Sequence, residues 1–98
     1  MSKIEERINA SPFLLVDFYA EWCEPCKWLD QILIEVTANF QENLEILKID
    51  IDKETSVGNA YEIRSVPTLI LFKNGLQVWR MSGFKGASEL SDSIKKFM

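Results

Sequence analysis

The chain contains no histidine, and that absence removes Ser-His-Asp and Cys-His catalysis, histidine-ligated metals and histidine general bases together. Cysteine is nearly as scarce. Cys23 and Cys26 are the full complement, too few for one chain to surround zinc with four thiolates. Gly58, Gly75, Gly83 and Gly86 are too scattered to form a dinucleotide fingerprint or a phosphate loop. No apolar run approaches the roughly 18 residues of a membrane span. The opening stretch from Met1 to Arg7 mixes both signs of charge, where an export signal needs an apolar segment of about 7–15 residues. A cytoplasmic location is therefore expected. Basic charge is also in deficit: 11 Lys and Arg face 15 Asp and Glu, a net −4, and the longest basic tract is Lys95-Lys96. Neither nucleic acid nor an anionic membrane is expected as a partner. The chemistry of the chain must centre on its two cysteines.

What is present suffices for one core. A length of 98 residues with 47% apolar side chains fits a single domain over 1–98 and excludes two-domain schemes. Ser2 with Glu5 reads as a capping box, Ile4 and Ile8 share a face of a short first helix, and Pro12 stops it. Phe13 to Tyr19 is almost continuously apolar, as in a strand covered on both faces, with Asp17 as its one interruption. Leu29, Ile32, Leu33, Val36 and Phe40 then keep the spacing of an amphipathic helix of about four to five turns, with Pro25 in its first turn. Leu44 to Ile51 reads as a second strand, joined to the first by a parallel crossover. A weak helix around Thr55 to Tyr61 contains Gly58. Thr68 to Lys73 and Leu76 to Met81 flank Asn74-Gly75, a strong hairpin signal. Gly86 or Ser88 opens a last helix with Leu90, Ile94 and Phe97 toward the sheet. The pattern αβαβαββα predicts an α/β fold with one mixed sheet between helices.

Trp22-Cys23-Glu24-Pro25-Cys26-Lys27 falls where the first strand gives way to the long helix. Cys23 is then placed near the N-cap, where free backbone N–H groups and the positive end of the helix dipole stabilise a thiolate. Cys26, one turn inside the helix, can close a disulfide onto Cys23 and is expected to be the more buried of the two. This asymmetry assigns attack to Cys23 and resolution to Cys26. Asp17, in a strand buried on both faces, is expected to be desolvated with a raised pKa, although a lone aspartate more commonly faces solvent.

The chain resembles the thioredoxin family along nearly its whole length. The resemblance rests on Val16-Asp17-Phe18-Tyr19-Ala20-Glu21-Trp22-Cys23-x-Pro25-Cys26-Lys27, then Lys48-x-Asp50-Ile51-Asp52, Ile63-Arg64-Ser65-Val66-Pro67-Thr68, Phe72-Lys73-Asn74-Gly75, and Gly83. It implies a thioredoxin fold and a reversible dithiol–disulfide cycle with Cys23 attacking and Cys26 resolving. Asp17 matches the family's buried carboxylate beneath the pair, which assists proton removal from the resolving thiol. Lys48 matches the lysine beside it, and Pro67 the proline that faces the disulfide after a cis peptide bond. Trp22, Glu24, Pro25, Val66, Gly83 and Phe84 would border the groove that receives the substrate backbone. The chain also departs from the family pattern. The usual N-terminal strand has no counterpart, so four strands are expected. Glu24 stands at a usual glycine, Tyr19 at a common tryptophan, and Gln31 where a kinking proline is frequent.

The leading functional expectation is a protein-disulfide reductase, a monomer needing no metal or organic cofactor. It would act on disulfide-bearing proteins and be restored by an upstream dithiol reductase. An oxidant or isomerase on the same fold, a redox-silent binding module or subunit scaffold, and a metal or iron–sulfur half-site completed by a second chain are the alternatives. Trp79 is assigned to the sheet face, and Trp28 is left open between packing and the site.

Overall fold

The computed structural model describes residues 3–98, so the Ser2 cap lies outside the described residues. The chain runs through α1 (Lys3–Ala10), β1 (Phe13–Tyr19), α2 (Glu24–Phe40), a 3-10 turn (Gln41–Asn43), β2 (Glu45–Asp50), α3 (Thr55–Ala60), β3 (Thr68–Lys73), β4 (Leu76–Ser82) and α4 (Ala87–Lys95). The strands form one mixed sheet in the order β2-β1-β3-β4. The pair β1–β2 is parallel, and β3 is antiparallel to both β1 and β4. Among the described residues there are four strands, as expected, and no helix is long and apolar enough to cross a membrane.

Alternation along β1 divides its side chains between two clusters. Phe13 and Leu15 join Leu69 and Leu71 of β3 beneath Leu29, Leu33, Val36 and Phe40 of α2 and Leu90 and Ile94 of α4. Leu14, Val16 and Phe18 join Ile70 and Phe72 on the opposite face, against Ile8 of α1 and the half-buried Val57 of α3. Trp79 packs against the first cluster, as its sheet-face assignment requires. Asp17 falls in phase with Phe13 and Leu15, so the pleat carries it to the face that α2 covers.

Element boundaries depart from the sequence reading at a few points. The second strand was expected from Leu44, but the 3-10 turn intervenes and Leu44 turns its side chain into the core. At the other end the Asp50 carbonyl accepts from Lys53 and Glu54 N–H at 3.2 and 2.8 Å, which bends the chain away from the strand. Asn74 and Gly75 adopt φ of 51° and 84°, the paired left-handed conformations of a two-residue hairpin. A Cβ on Gly75 would also lie 2.7 Å from the Asn9 side chain. The hairpin therefore selects glycine by conformation, and a side chain at 75 would in addition have to displace the Asn9 amide.

Candidate active site at the start of α2

The redox pair is built by the turn that starts α2. Cys23 N–H donates to Ala20 carbonyl at 3.2 Å, closing a tight turn after β1. Cys23 then serves as N-cap in extended conformation, and its Sγ accepts from Cys26 N–H at 3.2 Å, in the place where a Ser or Asp oxygen caps other helices. Pro25 sits in the first turn, where a missing N–H costs no helical bond. Cys23 and Cys26 are joined as a disulfide with Cα atoms 5.3 Å apart. The expected difference in burial is not found: both residues are 4% exposed. Cys23 is covered because the turn packs it with Ala20 and against Val66. The two cysteines differ instead in surroundings, since Cys26 lines a side cavity of about 310 Å³ together with Tyr19, Glu21, Lys27, Asp30 and Lys48.

Asp17, on β1 opposite the cavity-lining Lys48 in register, is fully buried, and among the described residues neither of its carboxylate oxygens has a hydrogen-bond partner. Burial pushes its pKa from an ordinary 3.8 up to about 7; Lys48 pulls it down and Asp30 adds to the rise. Lys48 is the register partner of Asp17 across the parallel β1–β2 pair. Its ammonium, however, donates to Asp30 Oδ1 at 2.7 Å and lies 4.5 Å from the centroid of the Tyr19 ring. Partial burial alone would lower the Lys48 pKa, but the Asp30 hydrogen bond and the charges of Asp30 and Asp17 raise it.

The opposite rim is a loop pinned from several sides. The Val66–Pro67 peptide bond is cis, as the family resemblance implied. Pro67 carbonyl accepts from Gly83 N–H at 2.8 Å, and Gly83 holds φ at 90°, where a side chain would be strained. Thr68 Oγ1 donates to Ser65 carbonyl at 2.8 Å, and Arg80 donates to the Tyr61 and Glu62 carbonyls at 2.6 and 2.8 Å. Phe84, 42% exposed, meets Trp28 edge-on with ring centroids 5.6 Å apart. Trp22 is 68% exposed, and its indole N–H donates to Asp52 Oδ2 at 2.8 Å. Glu24 is exposed and pairs with Lys27 at 3.2 Å. Val66 thus packs against the cysteine pair and Trp22 precedes it in the chain, while Gly83 and Phe84 join the Pro67 loop and Trp28 from beyond β4.

The thioredoxin family model matches residues 2–96. The chain belongs to the thioredoxin family. A thioredoxin-like protein of Synechocystis is 41% identical over 94 residues, covering 95% of this chain and 90% of that protein. Thioredoxin of Staphylococcus aureus is 38% identical over 97 residues, covering 99% of this chain and 88% of that protein. A point mutant of thioredoxin from Halobacterium salinarum superimposes with a TM-score of 0.87 at 33% identity, covering 99% of this chain and 84% of that one. With its disulfide-bonded pair at the helix start, this thioredoxin-family chain is a protein thiol–disulfide oxidoreductase that works through a dithiol–disulfide cycle.

Three contributions in this thioredoxin-family site escaped the sequence reading. Asp30 holds Lys48, Asp52 holds Trp22, and Arg80 holds the loop ahead of Pro67. Asp30 carried a usable signal, because it lies four residues after Cys26 and so on the same helical face. Trp28, left open before, packs on Phe84 at the edge of the site.

Proposed function

We propose that the chain works in the reducing direction, as a cytoplasmic, monomeric protein-disulfide reductase acting as one domain over 1–98. Reduced Cys23 attacks a target disulfide, and one target cysteine leaves as a thiolate while a mixed disulfide forms on Cys23. Cys26 then gives its proton to Asp17 and attacks Cys23 Sγ, expelling the second target thiolate. Two electrons pass from the Cys23/Cys26 dithiol to the target, and an upstream dithiol reductase returns them. From its place on Asp30, Lys48 partly offsets the negative charge that Asp17 carries before it takes the proton. Trp22, Glu24, Pro25, Val66, Pro67, Gly83 and Phe84 border the substrate polypeptide. The observation that carries this reading is the buried Asp17 carboxyl, without a hydrogen-bond partner among the described residues and opposite in register to Lys48, which lines a cavity together with Cys26. A carboxyl whose pKa lies near 7 can both accept and return a proton at neutral pH.

The test is trapping and titration together. Cys26→Ser should accumulate mixed disulfides through Cys23 with target proteins, and redox titration should give one two-electron couple with a potential in the reducing range of thioredoxins, about −270 mV. A potential near the −120 mV of strong oxidants would reverse the direction. Target capture that survives Cys23→Ser in the Cys26→Ser background would favour a redox-silent binding module.

A further inference from the structure

Among the described residues the cation that acts on Asp17 is Lys48 of β2, and that cation is engaged elsewhere. Lys48 Nζ donates to Asp30 Oδ1 at 2.7 Å and rests over the Tyr19 ring, while among the described residues both Asp17 oxygens stay without hydrogen bonds. The Asp30–Lys48 pair is about 40% exposed on each side chain, so it sits at the mouth rather than in the depth of the cavity that reaches Cys26. The same pair borders a second, apolar groove lined by Leu33, Ile34, Thr37 and Ile46, and so forms a polar divide between the two. From α2 the groups around this cavity are Cys26, Lys27 and Asp30; Lys48 comes from β2, Tyr19 from β1, and Glu21 from the turn after it. On the β3 side Asp17 faces its register partner Leu69, which is apolar and buried. Of the carboxylates at the cavity, Glu21 is drawn outward by Lys53 at 3.4 Å. Asp30 is thus the carboxylate that competes with Asp17 for Lys48.

From this geometry we propose that Asp30 is a positioning residue of the resolving step, holding the Lys48 ammonium at the cavity mouth and so withholding it from the Asp17 carboxyl. The inference rests on the assignment of Asp17 as proton acceptor for Cys26. In that step the Cys26 S–H proton moves to an Asp17 oxygen, and a Cys26–Cys23 bond forms as the Cys23–target bond breaks. The electron pair of the broken bond leaves on the target sulfur, which takes a proton from water. A lysine bonded directly to Asp17 would stabilise the carboxylate and weaken it as a base. Asp30 prevents this in two ways, by occupying the cation and by setting a second negative charge nearby, consistent with its upward push on Asp17.

The test is the pH profile of the second, resolving phase when reduced protein reacts with the aromatic disulfide dithiobis-nitrobenzoate in stopped flow. Asp30→Asn should move the acid limb of that phase to lower pH by about 0.5–1 unit and lower its plateau about threefold, as a weaker base requires. The first phase, attack by Cys23, should keep its rate. In an Asp17→Asn background the Asp30→Asn change should shift nothing further. An unchanged or upward-shifted limb in Asp30→Asn, or a downward shift that persists without Asp17, overturns the proposal. If Asp17→Asn alone leaves the acid limb intact, the assignment of Asp17 fails as well; a limb lost in Asp17→Asn but unmoved in Asp30→Asn removes Asp30 alone.

Discussion

The two faces of the sheet are covered unequally. On the α2/α4 face six helical side chains, Leu29, Leu33, Val36, Phe40, Leu90 and Ile94, are buried against the strands. On the α1/α3 face the buried helical contribution to the cluster is Ile8, with Ile4 and Val57 half-buried beside it. The uncompensated carboxyl, Asp17, lies on the better-packed face. A desolvated, unpaired acid costs stability, and close packing is also what keeps water from relieving it. The face with the most apolar burial is therefore the one able to hold such a group in place, whereas the thinner face would hydrate it through local opening.

The largest expected effect breaks the packed face directly. Leu29→Ala removes a fully buried side chain one turn from Cys26 and should cost about 3–5 kcal/mol in chemical denaturation. Val57→Ala on the thinner face should cost about 1 kcal/mol. Amide exchange should follow the same order, with α1 and α3 opening more readily than α2. Equal costs for the two variants would show that the asymmetry of burial is not one of energy.

Asp17 sharpens the comparison through pH. Its folded pKa of about 7 lies above the ordinary 3.8 of an unfolded chain. Below about pH 4 both states are protonated and there is no penalty. Between pH 4 and 7 the unfolded state releases its proton while the folded state keeps it, so stability falls as pH rises and the loss is complete above about pH 7. Linkage sets the loss at roughly 2–4 kcal/mol in the oxidised protein. Asp17→Asn should abolish this part of the slope while slowing release of the mixed disulfide. Parallel stability profiles for the two proteins, measured by urea unfolding from pH 4 to 8, would place the carboxyl in contact with solvent.

Most of the fold was legible because the signals were local. Near-continuous apolar character marked β1, the three-four spacing marked α2, and Asn74-Gly75 marked the hairpin with both residues at positive φ. Asp17 was legible as the single polar break in a buried run. What sequence could not deliver was side-chain direction across elements. Lys48 stands beside Asp17 in the register, yet its long stem carries the ammonium to α2, a choice fixed by Asp30 and Tyr19 meeting in space. The equal burial of Cys23 and Cys26 had the same origin, since Val66 arrives from a loop more than forty residues away. Arg80 likewise reaches the Tyr61 and Glu62 carbonyls from the far strand of the sheet.

That arginine gives an intermediate effect. Its two charge-assisted bonds hold the chain leading into Val66–Pro67, and Glu62 there has φ of 55°. Arg80→Ala should cost about 1 kcal/mol, because the group is exposed. It should also raise KM for a protein disulfide more than for a small aromatic one, since the proposed substrate groove runs along this loop. Equal changes for both substrates would confine Arg80 to stability.

The smallest effect belongs to Glu24, at the exposed start of α2 on the packed side. A carboxylate there opposes the helix dipole that favours the Cys23 thiolate. The structure adds a reason for the effect to be small: Lys27 Nζ pairs with Glu24 at 3.2 Å, and both side chains are well exposed. Solvent and Lys27 together leave a net influence of at most a few tenths of a kcal/mol. Removing the charge stabilises the reduced thiolate, which makes the pair more oxidising. Since about 30 mV corresponds to 1.4 kcal/mol for two electrons, Glu24→Gln should raise the potential by roughly 5–10 mV at low salt and by less at high salt. Lys27→Gln should move it the other way by a similar amount, because it exposes the glutamate and removes a cation one residue from Cys26. A Glu24→Gln potential that falls, or two variants that move it in the same direction, would mean that these side chains act on the pair through the helix start itself and not through their charge.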